Sequence, residues 1–199
     1  NDNVVKGIAF TTGIINFLIS LLLYVYFDPS THLFQFGEFA RWIPTYNINY
    51  TLGIDGITIF LILLTTILAP MCVLCSWTAI ENRVKEFMFC ILIMESAMVG
   101  VFCALDFILF YIFWEAMLIP MYLLIAVWGG PNKDYASIKF FIYTLFGSVF
   151  LLVAIIAIYL ATGSFNIPNA MFKDYSFNFQ FWVFLAFAIA FAIKVPMFP

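Results

Sequence analysis

Six stretches of this chain run for about twenty residues with almost no charge, and that length decides what the chain can fold into. An α-helix rises about 1.5 Å per residue, so about 20 residues cross the ~30 Å hydrocarbon core of a bilayer. The runs are Ile8–Phe27, Ile57–Trp77, Phe87–Leu105, Phe107–Trp128, Phe140–Ala161 and Phe179–Met197. None alternates polar and apolar residues as the strands of a membrane barrel do. In lipid the remaining choice is the helix, which satisfies its own backbone hydrogen bonds. The sequence therefore predicts an all-α integral membrane protein, one helical domain over residues 1–199. Charged residues make up only 10% of the chain and the net charge is −3. A disordered chain and a basic nucleic-acid binder are both excluded.

The connections carry turn chemistry. Asp28-Pro29-Ser30 ends the first run, and Gly129-Gly130-Pro131-Asn132 follows the fourth. Ile167-Pro168-Asn169 breaks the segment after the fifth. Asp106 alone separates the third and fourth runs, so it reads as the cap of a tight helical hairpin. Asp55 opens the second run, where a carboxylate suits the positive helix end. Lys6, Arg83, Lys85, Lys133 and Lys139 fall on one side of the membrane, Arg41 and Lys173 on the other. The side richer in Lys and Arg faces the cytoplasm or matrix, which puts the start of the first run there.

Redox and metal chemistry find little to use. Cys72, Cys75, Cys90 and Cys103 all lie in apolar runs and read as small buried hydrophobes. His32 is the one histidine, too few for a bis-histidine haem or a histidine metal centre. No cofactor and no metal are expected in this chain, so any electrons travel elsewhere.

Three charges stand out because they sit inside runs: Glu95, Glu115 and Lys194. A charge at mid-bilayer costs roughly 2.5–3.5 kcal/mol even on the lenient insertion scale, so each is a functional candidate. Glu95 and Glu115 are each roughly 12 Å along their helices, from opposite faces, which sets both near the midplane. Lys194 is roughly 22 Å along the last run, within a long side chain's reach of Glu115. Prolines accompany the charges. Pro120 deprives the Ala116 carbonyl of its helical donor, Pro196 does so to Ala192, and Pro199 to Val195. Broken helices at membrane depth occur where they are buried in protein or line a wet cavity, and ion sites are found there. Tyr111 and Tyr122 share the face of Glu115. Lys139 shares a face with Tyr143 and Gly147, and either snorkels to the interface or joins a proton path.

These residues carry a resemblance. The segments Tyr50-Thr-Leu-Gly-Ile-Asp-Gly-Ile57, Val84-Lys-Glu-Phe87, Phe110-Tyr-Ile-Phe-Trp-Glu115, Leu118-Ile-Pro-Met121, Lys139-Phe-Phe-Ile-Tyr-Thr144 and Lys194-Val-Pro-Met197 resemble, in order, the chain 4 family of NADH-ubiquinone oxidoreductase. This is the antiporter-like membrane subunit of respiratory complex I, called subunit M in bacteria. The resemblance implies part of a fourteen-helix antiporter-like fold, here its second through seventh helices, with a broken helix near Lys194. It implies that Glu115 and Lys194 are a proton-transfer pair, that Glu95 matches a fourth-helix carboxylate, and that Lys139 matches a sixth-helix lysine. Glu95, Lys139, Tyr111 and Tyr122 would then extend the path. The chain starts at Asn1 and stops after the sixth run, so both ends look cut, and a separate polypeptide is expected to supply the remaining helices.

On this reading the chain moves protons while NADH, FMN, iron–sulfur clusters and ubiquinone work in partner subunits of the membrane assembly. The 26 phenylalanines suit an AT-rich organellar gene; the expected location is the mitochondrial inner membrane, or else a bacterial plasma membrane. Two other readings use the same residues: a cation/proton antiporter subunit, and a non-pumping structural subunit.

Overall fold

The computed structural model describes residues 1–197. In chain order it contains α1 (Asp2–Tyr26), β1 (Gln35–Ile43), a 3-10 turn (Pro44–Tyr46), β2 (Ile48–Ile54), α2 (Thr58–Cys75), α3 (Val84–Cys103), α4 (Phe107–Ala116), α5 (Leu118–Trp128), α6 (Lys133–Thr162), α7 (Ile167–Met171) and α8 (Phe177–Lys194). Among the described residues six helices are long and apolar enough to cross a membrane, with α4 and α5 together forming one of them. The expected helical membrane architecture is present, and its boundaries and connections differ in instructive ways.

The 22-residue span Phe107–Trp128 is interrupted at Met117, two residues past Glu115. Pro120 is the cause: it has no N–H and its ring crowds the preceding turn. Helix α6 begins at Lys133, a full seven residues before the apolar run at Phe140, because polar residues extend a helix beyond the lipid core. Helix α8 stops at Lys194, short of the expected Met197. Pro196 cannot donate to Ala192, and the N–H of Met197 takes that carbonyl instead at 2.9 Å. Pro199 lies outside the described residues. Pro168 does not merely break the chain; it sits in the first turn of α7, whose N-cap Asn166 accepts from Asn169 N at 3.0 Å.

Residues 35–54 form an antiparallel β-hairpin that the sequence reading leaves as loop. Arg41 pairs Asn49 and Glu38 pairs Leu52, with Asn47 left-handed at φ 55° after the turn. Most of β1 is exposed, so it lacks the buried alternating face that betrays a strand. The hairpin is tied to the α3–α4 junction. Leu105 N donates to Thr51 O at 2.9 Å. Asp106 accepts from Asn49 N at 3.2 Å and caps α4 by accepting from Ile108 N at 2.9 Å and Leu109 N at 3.3 Å. Burial pushes the Asp106 carboxyl above its ordinary range, and these three N–H groups oppose that shift. Asp55 caps α2 as expected, accepting from Ile57 N and Thr58 N.

The helices fall into two groups that share α3. Helices α1, α2 and α3 pack mutually, while α3 also meets α4 and α5, α5 meets α6, and α6 meets α8. Each group has its own core: Ala9, Val73, Val84, Met88 and Ile91 in the first, Leu151, Ile155, Phe165 and Ala190 in the second. Large apolar side chains such as Leu160, Phe177 and Phe184 stand fully outward. In water such a surface is a liability, whereas lipid is as apolar as they are.

Candidate functional site

Two glycines set how closely the helices carrying Glu115 and Lys194 approach their neighbours. A Cβ on Gly147 of α6 would lie 2.8 Å from Ile193 of α8, the residue before Lys194. A Cβ on Gly100 of α3 would lie 2.5 Å from the ring of Phe113, two residues before Glu115. Small residues at these crossings let backbones approach closely, as membrane helix packing requires.

Lys194 ends α8 and turns toward α4. Its ammonium donates to the Trp114 carbonyl at 3.3 Å and lies 4.8 Å from the centroid of the Trp114 ring. Phe191, one turn back, meets the same ring edge-on at 5.5 Å. The lysine is thus held by a backbone dipole and an aromatic face. Glu115 is the next residue, its Oε1 buried without a hydrogen-bond partner. Expectation and structure differ on one point: Glu115 and Lys194 form no direct ion pair. Among the described residues, Arg83–Glu86 at 3.4 Å is the only one, on the exposed rim. One peptide unit separates the lysine's acceptor from the glutamate, within electrostatic reach of it.

Beside Lys194 lies a cavity of about 300 Å³ between α3, α5, α6 and α8. Met94, Met98, Met117, Tyr143 and Thr144 line it with Lys194 and Pro196. A site of this size has room for several waters. Tyr111 faces Glu115 and Ser148. The remaining candidates lie elsewhere. Tyr122 packs edge-to-face on Phe141 at 5.7 Å and does not line the cavity. Lys139 is exposed, its ammonium 5.5 Å from the Tyr135 ring centroid, on an outer groove. Glu95 is 2% exposed but faces away, toward α1 and α2.

Several groups escaped the sequence reading. Trp114 carries no mark of a site in the sequence, yet it supplies both contacts to Lys194. By sequence Lys6 is one of the charges flanking the spans, yet it is 6% exposed and donates to Trp77 O at 2.6 Å and Ile80 O at 3.0 Å. It closes carbonyls past the end of α2, where a cation is favoured. Asn16, Ser20 and Thr66 share a cleft with Glu95, and Asn16 bonds to it. Their signal was present: two polar residues four apart in an apolar run, and Thr66 four before the intrahelical Pro70.

Comparison with known proteins agrees with this architecture. The family model described as NADH-ubiquinone oxidoreductase chain 4, amino terminus, matches residues 5–101. The model described as NADH:quinone oxidoreductase/Mrp antiporter, TM, matches residues 104–199. NADH-ubiquinone oxidoreductase chain 4 of Arabidopsis thaliana is 44% identical over 196 residues, covering 98% of this chain and 40% of the relative. NADH-quinone oxidoreductase subunit M of Rhodobacter capsulatus is 44% identical over 211 residues, covering 100% of this chain and 41% of the relative. The chain therefore spans about 40% of the length of these curated relatives. A chain of respiratory complex I from Thermus thermophilus superposes with a TM-score of 0.86 at 30% identity, covering 98% of this chain and 40% of that one. An Mrp complex chain from Dietzia shares the fold at TM-score 0.77 and 16% identity. With two family models in sequence along almost its whole length, the chain belongs to the chain 4/subunit M family of antiporter-like complex I membrane subunits.

Proposed function

We propose that this chain is part of a proton-translocating membrane subunit of NADH:ubiquinone oxidoreductase, with Glu115 and Lys194 as its proton-transfer groups. The supporting observation is their placement at the interruption between α4 and α5 and at the end of α8, with Lys194 bound to the carbonyl of Trp114 beside the unpartnered Glu115. The ammonium is stabilised by the carbonyl, the indole face and the glutamate's charge. Protonating Glu115, or drawing α8 away from Trp114, removes part of that stabilisation, and the proton leaves toward the cavity. Moving one charge against the membrane potential costs about 2.3 kcal/mol per 100 mV. Loss of a close charge contact at low effective dielectric is of that order.

NADH, FMN, iron–sulfur clusters and ubiquinone belong to partner subunits on this reading, and partner membrane subunits surround this chain. The location is the mitochondrial inner membrane. Tyr111 extends the site toward Ser148, whereas Lys139 and Tyr122 take no direct part. The test is Glu115→Gln and Lys194→Met in the assembled complex. The expected outcome is intact assembly and retained NADH oxidation with fewer protons moved per NADH. Normal assembly with undiminished pumping would overturn the assignment. A cation/proton antiporter role predicts cation-driven proton movement without NADH, and a structural role predicts failed assembly instead.

A further inference from the structure

On the far side of α3 a second buried site is built around Glu95. Met94 and Met98 line the Lys194 cavity, whereas Glu95, Ser96 and Val99 face a separate cleft of about 320 Å³ between α1, α2 and α3. Glu95 Oε1 accepts from Asn16 Nδ2 at 3.4 Å, and Oε2 is buried with no hydrogen-bond partner. The Ser20 and Thr66 hydroxyls lie 2.8 Å apart in the same cleft. Ser20 Oγ donates to Phe17 O at 2.7 Å, so with Thr66 as the donor across the 2.8 Å contact Ser20 keeps one lone pair free. Pro70 cannot donate to the carbonyl of Thr66, which leaves that oxygen without its helical partner. No other titratable side chain lines the cleft among the described residues.

A buried carboxylate with no cation beside it is costly, and protonation removes the cost. Once protonated, Oε2 becomes a donor that needs an acceptor. The cleft is roomy and polar enough for water, since each buried water needs two to four partners and about 30 Å³. We propose that Asn16, Ser20, Thr66 and Glu95 form a hydrated protonation site of their own, separated by α3 from the Glu115–Lys194 site. Glu95 holds its proton on Oε2 and exchanges it with water anchored by the Ser20 and Thr66 oxygens. In that exchange the O–H electron pair returns to the carboxylate and the proton forms a new O–H bond on water, giving hydronium. Asn16 is a positioning residue: its amide fixes Oε1 and turns Oε2 toward the water. The inference rests on the proposed function only in placing the chain in a membrane.

The test is infrared difference spectroscopy of the purified assembly carrying the full chain, wild type minus Glu95→Gln, in H2O and in D2O. The expected result is a protonated-carboxyl carbonyl band that Glu95→Gln removes, that D2O shifts, and that Glu115→Gln leaves in place. Thr66→Val or Asn16→Leu should displace the band, and Thr66→Ser should restore it. Carboxylate bands in its place, a band that D2O does not shift, or one indifferent to both Thr66→Val and Asn16→Leu would each overturn the proposal. Because the readout is spectral, it stands apart from pumping, so failure of the Glu115–Lys194 assignment is seen separately.

Discussion

The two buried acids of this protein share a setting and differ in company. Glu95 and Glu115 each lie in a membrane-spanning helix and each has a buried carboxyl oxygen without a partner; Pro120 interrupts the span of Glu115, whereas α2 runs unbroken through Pro70, one turn past Thr66 of the Glu95 cleft. Glu115 sits beside an ammonium held on the Trp114 carbonyl, whereas Glu95 meets only the Asn16 amide, in a cleft that also holds two hydroxyls bonded to each other. The difference separates two ways of managing a buried charge. A nearby opposite charge keeps a group ionised, while neutral hydrogen-bonding groups leave protonation as the cheaper state. Helix α3 stands between them as a wall with a different side on each face.

The comparison can be broken by changing one side at a time. The largest effect is expected from Gly147→Leu, because even a Cβ there would come within 2.8 Å of Ile193. Overpacking costs about 1–3 kcal/mol or more, and α8 would move off α6. The assembled complex should fall below detection on native gels, while Gly130→Leu, whose Cβ would meet open space, should assemble normally. Next comes Glu115→Gln, expected to cut protons moved per NADH at least about tenfold, given about 1.4 kcal/mol per factor of ten for a lost charge interaction, as read by a pH-sensitive dye in vesicles.

Trp114→Leu should act more mildly. It removes the indole face but keeps the backbone carbonyl, so the loss is about 0.5–2 kcal/mol, a several-fold fall in pumping in the same assay. Lys139→Gln should change pumping by less than about twofold, since that side chain is exposed and its loss resembles an ordinary surface substitution. A large effect there would bring Lys139 back into the path and blur the boundary drawn around the site.

How legible all this was depended on what each feature leaves in the sequence. Membrane helices announce themselves by length and charge, so the six spans could be read directly, and so could Glu95, Glu115 and Lys194, whose charge is out of place there. Partners across helices leave no such mark. Trp114 reads like any interfacial aromatic until α8 brings Lys194 onto its carbonyl. The direction Glu95 faces depends on the rotation of α3, which a nearly uniform apolar sequence does not reveal. The hairpin at 35–54 was invisible for the opposite reason, since its exposed first strand has no buried face to pattern. Proline was the most dependable local signal: Pro120 and Pro196 end or interrupt helices beside the charges, and Pro70 was passed over.

In the proposed mechanism Glu115 and Lys194 act as one unit although no direct ion pair joins them. A double-mutant cycle on proton pumping per NADH tests it most directly, with Glu115→Gln, Lys194→Met and the two combined in one assembled complex. Groups that work together are strongly non-additive, so the double variant should pump no worse than the weaker single variant. Losses that multiply would mean that the two residues act independently and would contradict the account.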